Sequence, residues 1–295
     1  VLVRVEDSEG RDFQCEVTTL RKDGGYTDGR RPDNVIFGND IEEDLARRDF
    51  TINAMAIEPM KGLVGAECPS GKLIDLDGRG IKDLESGLLR TVGQAEKRIR
   101  EDGLRMVRAF RFLDLGEGGL RELDPELSIA ISSNLPMLSK VSKERIWNEF
   151  QKILSCSNSM RIVESMVEHG ILEEVLPGIS INTDANQSDD HIVNLALICR
   201  DEEANGPEIS EKIGSLLRLS RKESSELSSL HECRKIELDS SIESVRRFSA
   251  TMSDMQLSQI LDYMRGSGTD TADFEFKLGQ NSDLKAGPRP LVDGS

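Results

Sequence analysis

Aromatic side chains are scarce in this chain: one Trp and two Tyr among 295 residues. Cysteine is sparse as well. The five thiols, at 15, 68, 156, 199 and 233, are scattered and form no CxxC pair. An odd, unpatterned set excludes a disulfide framework and fits a reducing cytosol. The three His (169, 191, 231) lack metal-ligand spacing and read as ordinary imidazoles. No run of 18 apolar residues occurs, so no membrane-spanning helix is expected. The opening VLVRVEDSEG has neither the basic start nor the apolar stretch of a signal peptide. It also lacks a Met, so we expect the chain to begin inside a longer gene product.

Charge, by contrast, is abundant: 31% of residues, against 37% apolar, with a net of −16. Residues 1–155 hold 24 Lys and Arg against 29 Asp and Glu, a net of −5, so the basic residues concentrate in the first half. Overall acidity argues against a broad nucleic-acid surface but leaves room for a local basic groove. A mass of 32.8 kDa exceeds what one core usually serves, so two or three lobes are expected.

Residues 1–5 and 13–20 read as strands joined by the DSEG turn. Residues 21–34, rich in Gly, Asp and Arg, read as a loop. Helix is expected at 40–48, with an acidic first turn and a basic last turn. INAMAI (52–57) reads as strand or buried helix. A strand, a turn and a small helix follow over 72–93, then one helix over 95–115. From 123 onward the apolar spacing predicts helix after helix, with a polar loop at 181–190. Further helices are expected near 191–200, 208–219, 222–235, 239–252 and 254–265. Residues 266–295 are rich in Gly, Asp and Pro.

Two stretches carry chemistry. In REDGLRMVRAFRF (100–112), a helical repeat puts Arg105, Arg108 and Arg111 with Glu101 and Asp102 on one side and Met106, Val107 and Phe110 on the other. Such a row either lies in water, paired as Glu101–Arg105, or awaits an anion or a base edge. In EEDLARRDFTINAMA (42–56), two arginines, an acid and a hydroxyl precede an apolar run. A buried ion pair is costly to keep unless something uses it. Arg47 and Arg48 suit phosphate, and Asp49 suits a ribose hydroxyl.

Together and in order, these stretches resemble the class II tRNA nucleotidyltransferase and bacterial poly(A) polymerase family. EVTTLRKDGGYTDGRRP (16–32) is similar to that family's strand and flexible loop, and EEDLARRDFTINAMA to its ribose- and phosphate-binding motif. LIDLDGRGIKDLESGLLRTVG (73–93) is similar to its hinge, REDGLRMVRAFRF to its nucleotide-templating helix, and VSKERIWNEFQKIL (141–154) to its following neck helix. The resemblance implies an α+β fold, the remnant of a polymerase-β-like nucleotidyltransferase palm sheet followed by all-helical neck and body lobes. It places the head at 1–93, the neck at 94–180 and a truncated body at 181–295.

The resemblance also implies a reaction: untemplated addition of CCA to the 3′ end of tRNA from CTP and ATP, with Mg²⁺, in the cytoplasm. An A-adding enzyme or poly(A) polymerase of the same family, or a non-catalytic RNA-binding relic, are the alternatives. The acceptor arm of tRNA is the implied partner, with no membrane and no set oligomeric state. Asp102 and Arg105 would face the Watson–Crick edge of CTP or ATP. Glu101 would orient Arg105 or assist the change from C to A. Arg108 and Arg111 would hold the nucleotide or the helix. Arg48 would contact phosphates, and Asp49 the 2′-hydroxyl. Glu16 matches the third active-site carboxylate and is the one residue expected to touch metal. The flexible loop would comprise Asp23, Tyr26, Asp28, Arg30, Arg31 and Pro32, an intact form that favours full CCA addition. Gly103, where many relatives have Pro or Ala, departs from the pattern. The family's GGxVRD and DxD segments do not occur here. The DLD at Asp75 and Asp77 falls in the hinge and reads as structural, and GPRPLVDGS (287–295) looks cut. We therefore expect a fragment, inactive alone, of a longer enzyme.

Overall fold

The computed structural model describes residues 1–6, 10–24, 34–59, 71–235, 241, 243–245 and 254–280. They divide into two compact units, 1–105 with 122–130, and 106–121 with 131 onward.

In the first unit β1 (Leu2–Glu6) and β2 (Asp12–Glu16) form the expected antiparallel hairpin, with Leu2 opposite Glu16. β2 stops at Glu16 rather than running to residue 20. Part of the expected 21–34 loop is strand: β3 (Arg21–Asp23) pairs antiparallel with β4 (Val35–Phe37). α1 (Ile41–Ala46) starts at Asp40, whose carboxylate accepts from the N–H of Glu42 at 2.8 Å. It ends at Ala46, so Arg47 and Arg48 follow the helix and do not form the basic last turn expected of it. A single 3₁₀ turn (Thr51–Asn53) leads into β5 (Met55–Pro59), antiparallel to β6 (Gly71–Asp75). The Asp75 carboxylate accepts from Gly80 N at 2.8 Å and Ile81 N at 3.0 Å, at the start of α2 (Gly80–Ser86). That is the structural role expected for this hinge acid. β7 (Leu88–Leu89) runs parallel to β8 (Glu122–Leu123), and α3 spans Ala95–Glu101.

The expected single helix over 95–115 is two. α3 ends at Glu101, and α4 spans Leu104–Arg111. Asp102 between them is extended, with φ −153° and ψ 108°. Its carboxylate accepts from Leu104 N at 3.1 Å, and its carbonyl from Arg105 N at 3.0 Å. An Asp followed by a Gly ends a helix readily, because Gly is a poor helix former and Asp bonds the backbone of the next turn.

The remaining helices are α5 (Pro125–Ser133), α6 (Lys143–Leu154), α7 (Ser159–Glu168), α8 (Ile171–Val175), α9 (His191–Ile198), α10 (Gly206–Leu217), α11 (Arg221–Cys233), α12 (Asp254–Gly266) and α13 (Ala272–Gln280). The polar loop at 181–190 is present as expected. α13 lies in the Gly/Asp/Pro-rich stretch from 266 onward, where no helix was expected by name: ADFEFKLGQ has helical spacing that the surrounding Gly and Pro obscured. The helix expected at 239–252 falls mostly outside the described residues. α9 is the centre of the second unit. It packs against α6, α11 and α12, and every residue from Ile192 to Ile198 is buried. A helix apolar on all sides has to be enclosed. Its one buried polar member, Asn194, is fully satisfied. The amide nitrogen donates to the carbonyls of Leu154 and Ser188, each at 2.7 Å, and its oxygen accepts from Ser188 N at 2.8 Å.

Asn194→Ala is expected to destabilise the second unit by about 3 kcal/mol, because it leaves buried carbonyls and an N–H unpaired. Urea unfolding of the two proteins measures it.

Candidate functional site

The segment after α1 is fixed from beneath. Phe50 is fully buried and bridges to Thr91. Thr51 N donates to Arg90 O at 2.9 Å, and Val92 N to Asp49 O at 3.0 Å. The Thr51 hydroxyl donates to the buried Asp83 carboxylate at 2.7 Å. The DFT triplet thus lies along residues 90–92, and its apolar and hydroxyl side chains hold the backbone that carries Arg47, Arg48 and Asp49. The Asp49 carboxylate accepts from Phe50 N at 3.0 Å.

Both arginines turn back onto Asp44, whose side chain is 3% exposed. Arg47 Nη2 lies 2.6 Å from Oδ1 and Arg48 Nη2 3.2 Å from Oδ2. Arg47 Nε also donates to Arg21 O at 3.2 Å. Burial alone would push the Asp44 carboxyl up. The hydrogen bonds from Arg47, Arg21 N–H and Arg48 outweigh it and hold the group below its ordinary value. Arg48 is the more exposed of the pair, and its Nη1 also donates to Asn53 O at 3.3 Å.

A second arginine cluster closes over this segment. Arg98 and Arg105 are 8% and 7% exposed. Arg98 Nη2 donates to the carbonyls of Arg47 and, at 2.7 Å, Arg48, while its Nη1 pairs with Glu101 Oε2. Arg105 Nη1 donates to the same Glu101 oxygen at 2.8 Å and to Arg98 O at 2.7 Å. Its Nη2 reaches Arg47 O at 3.4 Å. One carboxylate and three carbonyls therefore serve two buried cations. The Glu101–Arg105 pair expected from sequence is present, across the helix break. Beside it lies an open cleft of about 840 Å³ lined by Lys22, Glu43, Arg47, Lys97, Arg98 and Arg100, among others. Lys22, on β3, pairs with Glu43, which raises the Lys22 ammonium above its usual range. Lys22, Lys97, Arg98 and Arg100 were not singled out from sequence. The signal for Arg98 was a cation on the same α3 face as Glu101, three residues apart.

Arg108 and Arg111 belong to the second unit. Arg111 Nε donates to Glu149 Oε2 at 2.6 Å, and Arg108 Nη1 to Oε1 at 3.4 Å, with Glu149 buried on α6. The Arg111 guanidinium also covers the Phe112 ring at 3.8 Å. These two cations tie α4 to α6, which is the helix-holding half of their expected role. Glu16 is exposed at the end of β2. Of the flexible loop, Tyr26, Asp28, Arg30, Arg31 and Pro32 lie outside the described residues, as does the side chain of Asp23. Among the described residues no three His, Cys, Asp or Glu side chains come together to hold a metal. Those residues do not make a Mg²⁺ site. No described helix is long and apolar enough to cross a membrane.

Comparison with known proteins bears on this geometry. Residues 2–90 match the family described as the Poly A polymerase head domain, and residues 122–182 that described as the probable RNA and SrmB-binding site of polymerase A. A CCA-adding enzyme of Lactobacillus johnsonii is 44% identical over 171 residues, 58% of this chain and 38% of that protein. The chain belongs to the tRNA nucleotidyltransferase and poly(A) polymerase family. A second nucleotidyltransferase relative, the CCA-adding enzyme of Geobacillus stearothermophilus, is 42% identical over 166 residues, 56% of this chain and 37% of that one. The chain thus spans less than two-fifths of the length of these relatives. The structure of a Bacillus stearothermophilus CCA-adding enzyme in complex with CTP superposes with a TM-score of 0.70 and 26% identity, covering 95% of this chain and 65% of that one. The α+β nucleotidyltransferase fold is the expected one.

Stability from ionised Asp44 is complete above the unfolded-state value, about 3.9, and is lost as pH falls through the lower folded-state value. Asp44→Asn is expected to cost about 2 kcal/mol at neutral pH, since it leaves two guanidiniums short of an anion. The gap from the parent should close as pH drops below about 4. Denaturant melts across a pH series check both the size and the sign.

Proposed function

We propose that the protein carrying this chain adds C, C and A to the 3′ end of tRNA from CTP and ATP, without a nucleic-acid template. What supports this reading most is that the RRD segment and the EDGLR segment, distant in sequence, are joined by the hydrogen bonds of Arg98 and Arg105, with Arg47 and Glu101 of those segments bordering the adjacent cleft. The relatives named above are CCA-adding enzymes, and one similar structure holds CTP.

In this reading Arg48 takes the triphosphate, because its side chain is exposed and its backbone is held. Asp49 takes the ribose hydroxyl, and Asp102 accepts from the exocyclic amine that cytosine and adenine share. UTP and GTP present a carbonyl at the matching position and would set acceptor against acceptor at the carboxylate. Arg105 would read ring acceptors by exchanging its bond to Glu101 for one to the base, with Glu101 then held by Arg98. Mg²⁺ is the ion proposed for the transfer; it would supply charge neutralisation to the triphosphate, and among the described residues Glu16 is the one proposed to touch it. We place the reaction in the cytoplasm and the acceptor arm of tRNA along the helical lobes, with head, neck and body at 1–93, 94–180 and 181–295.

The product of the whole open reading frame, given Mg²⁺ and tRNAs ending before CCA, after C and after CC, tests the reading. Addition of C, C and A that then stops is the expected result. Addition of A to the CC-ended tRNA alone would make it an A-adding enzyme, long A tails a poly(A) polymerase, and no incorporation with retained RNA binding a relic. Asp102→Asn, which keeps an oxygen to cap α4, should lower the preference for CTP over UTP by about tenfold or more. Its affinity for triphosphate should change little. Equal loss across all four nucleotides would remove Asp102 from base reading.

A further inference from the structure

We infer that Arg98 is a positioning residue for nucleotide selection, coupling the segment that takes the sugar and phosphates to the segment that reads the base. The inference rests on the function proposed above. Arg98 borders the cleft, and its guanidinium is taken up by protein groups of both segments. Those groups are chosen narrowly. The Nη2 donates to two consecutive carbonyls, Arg47 O and Arg48 O. These are the peptide units that lead into Arg48 and Asp49, so pinning them fixes where both side chains project. The Nη1 holds Glu101 Oε2, and the Arg98 carbonyl receives Arg105 Nη1 at 2.7 Å. The same residue therefore sets Arg105 through its backbone and through Glu101.

The planar fork of a guanidinium is what lets one side chain bridge carbonyls and a carboxylate at once. A Lys ammonium is a point donor and cannot span the same set. Removing the fork leaves each segment anchored by other contacts: DFT by Phe50 and Asp83, and Arg105 by its own bond to Glu101. What is lost is the fixed offset between them. An error of this kind spoils the simultaneous fit of base and triphosphate more than it spoils either alone.

The experiment compares the parent with Arg98→Lys and Arg98→Gln. Gln keeps a neutral amide donor, and Lys keeps the charge. Thermal melts are recorded first, then binding of CTP, ATP, UTP and GTP to each protein by titration calorimetry. Both variants should melt cooperatively. In both, the ratio of CTP to UTP affinity should fall on the order of tenfold to a hundredfold, with inorganic triphosphate binding within a few-fold of the parent. Lys should recover less than half of the lost discrimination. Unchanged discrimination in folded variants would overturn the inference. So would loss of the cooperative melt in both, which would make Arg98 a support of the fold only. A parent that binds all four nucleotides alike would instead overturn the proposed function itself, and the two failures are told apart by the parent's own ratio.

Discussion

Two buried guanidiniums sharing one carboxylate is the constraint on which the first unit's chemistry depends. Arg98 and Arg105 bring two positive charges into a dry region, and Glu101 supplies one negative charge in return. The remainder is met by carbonyl dipoles of Arg47, Arg48 and Arg98. Charges out of water are tolerated only when paired and hydrogen-bonded in this way. Because carbonyls do this work, the backbone of the RRD segment is held as firmly as a side chain would be. Asp44 applies the same logic from the other side, taking the Arg47 and Arg48 guanidiniums while Arg98 takes their peptide oxygens.

The row of arginines that looks uniform in sequence is divided by this arrangement. Arg105 serves the lock in the first unit. Arg108 and Arg111 bind Glu149 on α6 in the second. The division comes from the break at Asp102 and Gly103, which frees α4 from the helical phase of α3. A continuous helix would have put Asp102 into a helical turn. The break leaves its carboxylate at the head of α4, one bond from Leu104 N.

Much of the second unit was legible beforehand, because its helices obey a 3.6-residue apolar period; α6, α9 and α11 fall within a few residues of where that period puts them. Strands β1 and β2 were legible from alternation and a turn. What sequence hid was of two kinds. The pair β3 and β4 has three residues each, too few for a period to show among so many charges. Arg98 was missed because two of its partners are carbonyls, which every residue has and no letter records, and its spacing to Glu101 alone reads as an ordinary helix pair. Family resemblance pointed to Arg48, Asp49, Asp102 and Arg105, and to Glu101 as the residue orienting Arg105, yet it carried no indication of Arg98.

The bonds from Arg98 join residues fifty and fifty-one positions apart. Closing a loop of that length costs roughly 3.5 kcal/mol of chain entropy, more than a single hydrogen bond returns in water. The intervening strands and α2 have to shorten that loop before the lock can form. A synthetic peptide spanning α3 and α4 would therefore carry every residue of the EDGLR segment and none of its geometry. The smallest piece of this protein able to display the site is the whole first unit.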